Sequence, residues 1–155
     1  MPKPDPQPDN VTPFRPRRPP PRRGGGLGLK SHRAKAIMAH ALTLGSFGVY
    51  FFFPAPPMSY LGLALGIAAL AMAAGNRDEA MPWARTHHEH ALRTIVIGAA
   101  VWTLSSLLLF FGGTFSAIVF WTRVVIAVWV LIRAGGGLVL ATLRKPIPNP
   151  RGPLI

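Results

Sequence analysis

Cysteine is absent from this chain, and acidic side chains are scarce: five Asp and Glu stand against 17 Lys and Arg in 155 residues. Without thiols there is no disulfide framework, no thiolate metal site and no cysteine nucleophile. The long apolar segments contain no Asp or Glu at all, and between Ala36 and Trp121 they contain no Lys or Arg either. A paired-carboxylate centre inside them is therefore excluded. Half of the residues are apolar, yet the net charge is +12. These two facts reconcile by position, because the cations crowd into the N-terminal tail, a middle loop and the C-terminal end. Such a partition points to a polytopic membrane protein with one basic face.

Residues 1–35 are rich in Pro, Arg and Gly and poor in large apolar side chains. A segment of that composition cannot bury enough surface to offset the entropy of ordering, so a disordered tail is expected. It is not read as a cleavable signal, because its apolar stretch starts late and no A-x-A-like site follows. The pairs Arg17-Arg18 and Arg22-Arg23 lack a twin-arginine export context. The tail's expected partner is the anionic headgroup surface of a bilayer. Nucleic acid is not expected, since no aromatic run is interleaved with the cations for stacking.

Four apolar segments follow, over residues 36–53, 59–75, 94–112 and 114–132. The fold class they predict is all-α: an integral membrane protein with four transmembrane helices arranged as two hairpins. The linkers PAPPM and GGT are short and carry no Lys or Arg, whereas the tail carries nine, the middle loop three and the C-terminal end from Arg144 three. All basic loops then lie on one side, which places both termini in the cytoplasm. Gly62 and Gly66 stand at GxxxG spacing, extended by Ala69 and Ala73, with Ala41, Gly45 and Gly48 as a complement on the first segment. Close packing within the first hairpin is the expected use of that stripe.

Most of the chain's chemistry sits in NRDEAMPWARTHHEHALRT, residues 76–94, with three of the five acids and three of the five histidines. Pro82 suits the first turn of a helix that continues into the third segment, with Asp78 and Glu79 near the positive end of its dipole. The first three turns of that helix are expected to project from the membrane. Arg85, Glu89 and Arg93 fall at i, i+4 and i+8, so Glu89 can pair with an Arg on either side. His87 and His90 share a face, while His88 points about 100° away. HHEH is not HExxH, so the metalloprotease arrangement is missing. Headgroup or loop contacts are the expected role of these histidines. A minority reading joins His87 and His90 to His40, about one turn inside the first segment, as zinc or haem ligands.

The pattern NR, an acidic pair, PW, Arg, Thr-His and Arg-Thr leading into an apolar span resembles a widespread family of small bacterial membrane proteins of unknown function. That family is described as similar to the twenty-kilodalton subunit of the chloroplast inner-envelope (TIC) protein-import translocon. The matching positions are Asn76, Arg77, Pro82, Trp83, Arg85, His87, Arg93, Thr94, Pro146, Pro148 and Pro150. The resemblance covers roughly residues 36–152, ends in the tail LVLATLRKPIPNPRG, and departs from the family at His88, Glu89 and His90. It implies a four-span topology in the bacterial cytoplasmic (inner) membrane and brings no established activity.

Arg123 lies about nine residues inside the fourth segment, where an unpaired cation is costly. It is expected either to reach lipid phosphates or polar groups such as Thr103 or Ser105, or to line a pathway. Arg133 is expected to mark the end of that span, near Ile132. Gly135 to Gly137 then form a bend before a surface helix over residues 138–144; the alternative is one tilted helix through Leu140. The Pro-rich tail, residues 146–155, ends the chain. The functional expectation is a non-enzymatic scaffold or accessory subunit without a cofactor, binding membrane-protein partners or forming a homo-oligomer. The residues offered for partner or substrate contact are Arg85, His87, Arg93 and Arg123. A small oligomeric transporter or channel and a His-based metal- or haem-binding protein are the alternatives.

Overall fold

The computed structural model describes residues 31–153. The expectation of a disordered tail falls mainly on residues 1–30, outside the described residues. Every regular element is helical: α1 His32–Phe52, α2 Met58–Gly75, α3 Pro82–Leu107 and α4 Ser116–Thr142, with two short 3-10 turns, Leu108–Phe111 and Gly113–Phe115, between α3 and α4. Among the described residues there is no strand.

Local chemistry explains the boundaries. Ser31 caps α1 by accepting a hydrogen bond from the Ala34 N–H at 3.1 Å, so the helix starts four residues before the apolar segment does. Pro82 occupies the first turn of α3, where no N–H is needed. Gly112, with φ of 113°, breaks the chain between the two 3-10 turns, a backbone region that side chains with a Cβ avoid. The chain does not bend at Gly135 to Gly137. α4 runs unbroken to Thr142, with Gly137 buried against the His40 ring of α1.

Among the described residues, three stretches are long and apolar enough to cross a membrane: Met58–Gly75, Pro82–Phe111 and Gly113–Thr142. α1 is more polar, with His32, Arg33 and Lys35 in its first turn and His40, Thr43 and Ser46 buried along its inner face. Helices α2 and α4 each pack on both α1 and α3 but not on one another, so α1 and α3 are the central pair.

The interior is the reverse of a water-soluble core. Many buried positions are small or polar, including Ala36, Ala39, Ala69, Ala73, Ala91 and Ala134, beside a few large ones such as Phe47, Ile126 and Val130, while Leu63, Ile67, Leu104, Phe120, Val125 and Leu131 face outward. Lipid gives large side chains no reason to hide, so small residues at the interfaces let backbones approach closely. The GxxxG stripe acts within the first hairpin, as the spacing predicts. Ser46 Oγ donates to the Gly62 carbonyl at 2.8 Å and would meet a Cβ at Gly66 at 2.8 Å. Gly45 meets Leu65, whereas Gly48 faces open space, so Ser46 and Tyr50 supply much of the complement.

Candidate functional site

The polar residues gather at one end of the bundle, where α1 begins, α3 begins and α4 ends. The first turns of α3 are packed into the bundle. Ala84, His87, His88, His90 and Ala91 are all buried there against α1, α4 and the C-terminal segment. His40, His87, His88 and His90 are each 0% exposed, so of the two expected roles, contact with headgroups or with loop carbonyls, His87 takes the second, at the Lys145 carbonyl.

His40 Nε2 and His87 Nδ1 lie 3.1 Å apart, and His87 Nε2 lies 2.9 Å from the carbonyl of Lys145. A carbonyl only accepts, so His87 must donate from Nε2. In a neutral ring its Nδ1 then accepts, and His40 must donate from Nε2. His40 Nδ1 has no hydrogen-bond partner among the described residues. The His40 ring lies flat against Gly137 of α4; a Cβ there would sit 2.7 Å from His40 Nε2. His90 Nε2 donates to the Arg133 carbonyl at 3.1 Å.

Arg133 is 1% exposed, and α4 continues past it to Thr142 rather than ending near Ile132. Its Nε donates to Thr94 Oγ1 at 2.9 Å, and Thr94 in turn donates to the His90 carbonyl at 2.7 Å. The two Nη groups donate to the carbonyls of Gly152 and, at 3.2 Å, Pro150. The guanidinium also lies 5.3 Å from the centre of the Trp129 ring, whose Nε1 donates to the Pro153 carbonyl at 2.8 Å. The C-terminal segment is thus drawn under the bundle. Ile147 is 2% exposed, and its N–H donates to Thr86 Oγ1 at 3.1 Å.

Glu79 is the second hub. It lies in the loop before α3, not merely near the helix dipole. It accepts from His32 Nδ1 at 2.6 Å, Lys35 Nζ at 3.0 Å and His88 Nε2 at 3.0 Å. Burial acts to raise its carboxyl, but the hydrogen bonds from His32 and Lys35 and the nearby Lys35 and His88 charges hold it below the usual range. Glu89 pairs with Arg93 at 2.8 Å, Arg77 at 3.3 Å and, more loosely, Arg151 at 3.9 Å. Among the described residues it makes no ion pair with Arg85, which is exposed.

Arg123 is far from this end. It donates to Ser106 Oγ at 2.9 Å and lies 5.1 Å from the centre of the Trp102 ring, so its partner is Ser106 rather than Thr103 or Ser105. The four residues offered for contact are therefore not one site: His87 is interior, Arg93 is tied to Glu89, Arg85 is exposed and Arg123 sits elsewhere. Arg133, Thr94 and Glu79, which organise this end of the bundle, were not among the residues offered for contact. A cation near the end of a span with no acid in any span was the available signal for Arg133.

His40, His87 and His90 do come together, with ring centres 5.3 and 5.8 Å from His40. Among the described residues, however, no group of three or more His, Cys, Asp or Glu is arranged to hold a metal ion. A proton can pass between His40 and His87, but it stops at the Lys145 carbonyl, which has no proton to give. Apolar grooves lie away from the cluster, one of them of about 290 Å³ beside Tyr50, Gly66 and Trp102. Compared with protein-family models, curated proteins and solved structures, the chain matches none.

Proposed function

We propose that the chain is a non-enzymatic, four-span component of a bacterial cytoplasmic membrane, with both termini inside, acting as a scaffold or accessory subunit. In this reading α1 is the fourth span. Its 21 residues make about 31 Å of helix at ~1.5 Å per residue, enough for a hydrocarbon core of about 30 Å, and its polar side chains turn inward. The resemblance to small bacterial membrane proteins akin to the TIC subunit belongs to the same proposal. One observation carries it: the groups with chemical potential are spent on one another and on the chain's own tail, while large apolar side chains face outward. Affinity purification in mild detergent should return a stoichiometric partner. Recovery of the bare monomer under several growth conditions would contradict the proposal.

A second reading, a small oligomeric transporter or channel with Arg123 beside the pathway, is favoured by the buried Arg123 Nε, which has no hydrogen-bond partner among the described residues. In that case Arg123→Leu abolishes flux and preserves insertion. Metal or haem ligation by His40, His87 and His90 would instead show as stoichiometric metal or a haem absorption band in purified protein.

A further inference from the structure

We propose that Arg123 holds the phosphate of a single outer-leaflet phospholipid, one acyl chain of which lies in the groove between α3 and α4. The inference rests on the four-span membrane reading and names a partner for it: a lipid bound at one site, separate from the cations at the histidine end.

The guanidinium is held where such a phosphate lies. Ser106, which accepts from Arg123 Nη2 at 2.9 Å, is the last residue but one of α3. Arg123 itself stands seven residues into α4, about 10 Å from the start of that helix at ~1.5 Å per residue. In the proposed orientation both positions put the charged group one to two turns below the outer surface. Trp121, two residues away, and Tyr60 at the start of α2 are exposed, as aromatics at a membrane–water interface are.

The charge there has little to answer it. Arg123 Nε is buried with no hydrogen-bond partner among the described residues, Nη2 reaches a serine hydroxyl, and the Trp102 ring lies 5.1 Å away. The apolar segments contain no Asp or Glu. Arg133 differs, because the tail brings it the carbonyls of Pro150 and Gly152. A cation left in a membrane without such partners is costly, and a phosphate compensates it through charge-assisted hydrogen bonds to the guanidinium.

The groove favours a lipid over a soluble anion. It has a volume of about 700 Å³ and is lined by Val101 of α3 and by Trp121, Thr122, Val125, Ile126 and Trp129 of α4. It therefore begins beside Arg123 and follows the seam that Arg123 bridges to Ser106. From Ala117 to Trp129 it runs along twelve residues of α4, about 18 Å. Trp121 and Val125 face outward, so the groove is open to the acyl region of a bilayer. A long apolar slot beside one cation matches an acyl chain below its phosphate. A free phosphate would leave the slot unused.

Native mass spectrometry of the full-length chain in mild detergent tests the site, with phosphatidylglycerol as the probe. Diacylglycerol with the same acyl chains and inorganic phosphate are titrated separately. The wild type should take up one phospholipid that Arg123→Met binds about tenfold more weakly, as loss of a charge-assisted hydrogen bond predicts. Val125→Trp, which fills the groove from its exposed side, should weaken the same lipid several-fold with Arg123 in place. Diacylglycerol and inorganic phosphate should show no dependence on Arg123. Equal phospholipid binding by the wild type and Arg123→Met overturns the proposal. Arg123-dependent binding of inorganic phosphate alone overturns it too, since the site then takes a soluble anion. Unchanged binding in Val125→Trp removes the groove as the lipid's seat and the proposal with it. Should Arg123→Met fail to fold, Val125→Trp carries the test, because position 125 is exposed. The two readings fail separately. A chain recovered in the soluble fraction without detergent removes the membrane reading. A membrane-bound chain whose lipid is indifferent to Arg123 removes this site alone.

Discussion

The two ends of the bundle are built on different principles. At the histidine end, α1, α3, α4, the loop at Glu79 and the C-terminal segment are tied by buried hydrogen bonds and ion pairs. At the aromatic end the connections are short, and Phe52, Phe53, Phe110 and Phe111 are exposed. The same contrast appears along α4. Arg133 is held by Thr94, peptide carbonyls and an indole face, whereas the half-buried Arg123 has a serine and an indole face. Backbone carbonyls can compensate a buried cation if the chain brings them to it, and here the tail does so. Cohesion should therefore be concentrated at one end, while the other is set by helix length and lipid.

The largest effect is expected from Arg133→Met, which takes the donors from the carbonyls of Pro150 and Gly152 and leaves the Thr94 hydroxyl only its bond to the His90 carbonyl. Leaving a buried acceptor without its donor costs about 1–3 kcal/mol, and two carbonyls lose theirs at once. Thermal unfolding in detergent, followed by circular dichroism, should show a large drop in midpoint. The same change at the other end, Arg123→Met, breaks one partly buried hydrogen bond and should cost only about 1–2 kcal/mol. Equal losses would remove the contrast between the ends.

Glycine substitutions sharpen it next. Gly137→Ala drives a methyl group into the His40 ring and should destabilise by about 1–3 kcal/mol. Gly135, two residues away, has no atom within 4 Å of an added Cβ. Gly135→Ala should be neutral or stabilise by up to about 1 kcal/mol through helix propensity.

The smallest effect concerns pH. The folded protein holds the Glu79 carboxyl below its ordinary value, so its contribution is present above the unfolded carboxyl pKa of about 4.3 and fades as pH falls through the lower folded value. The melting midpoint should therefore fall on acidification below about pH 4.5. Glu79→Gln should flatten part of that dependence. An unchanged profile would mean that Glu79 does not hold the loop to α1.

How much of this was legible in the sequence depends on distance along the chain. The apolar segments, Pro82 and the Gly62–Gly66 spacing are local, and they predict the elements and the first hairpin well, whereas the Ser31 cap, which starts α1 four residues early, was not read. The proximity of His40 to His87 and His90 was also readable, because hairpin geometry puts residues near the same membrane edge together. Burial of that edge was not. It depends on a tail that meets His87 58 positions away, on Arg133 reaching Thr94 39 positions away, and on His32 reaching Glu79 across 47 positions. The three glycines of α4 suggested a bend for the same reason. Only the His40 ring on α1 shows why Gly137 must be small while remaining helical.

The most direct test of the account is a double-mutant cycle between Arg133→Met and removal of residues 146–155, read as thermal midpoints in one detergent. If the tail and Arg133 stabilise each other, each change alone lowers the midpoint steeply, and Arg133→Met costs much less once the tail is gone. Strictly additive losses would contradict that claim and leave the histidine end without its closure.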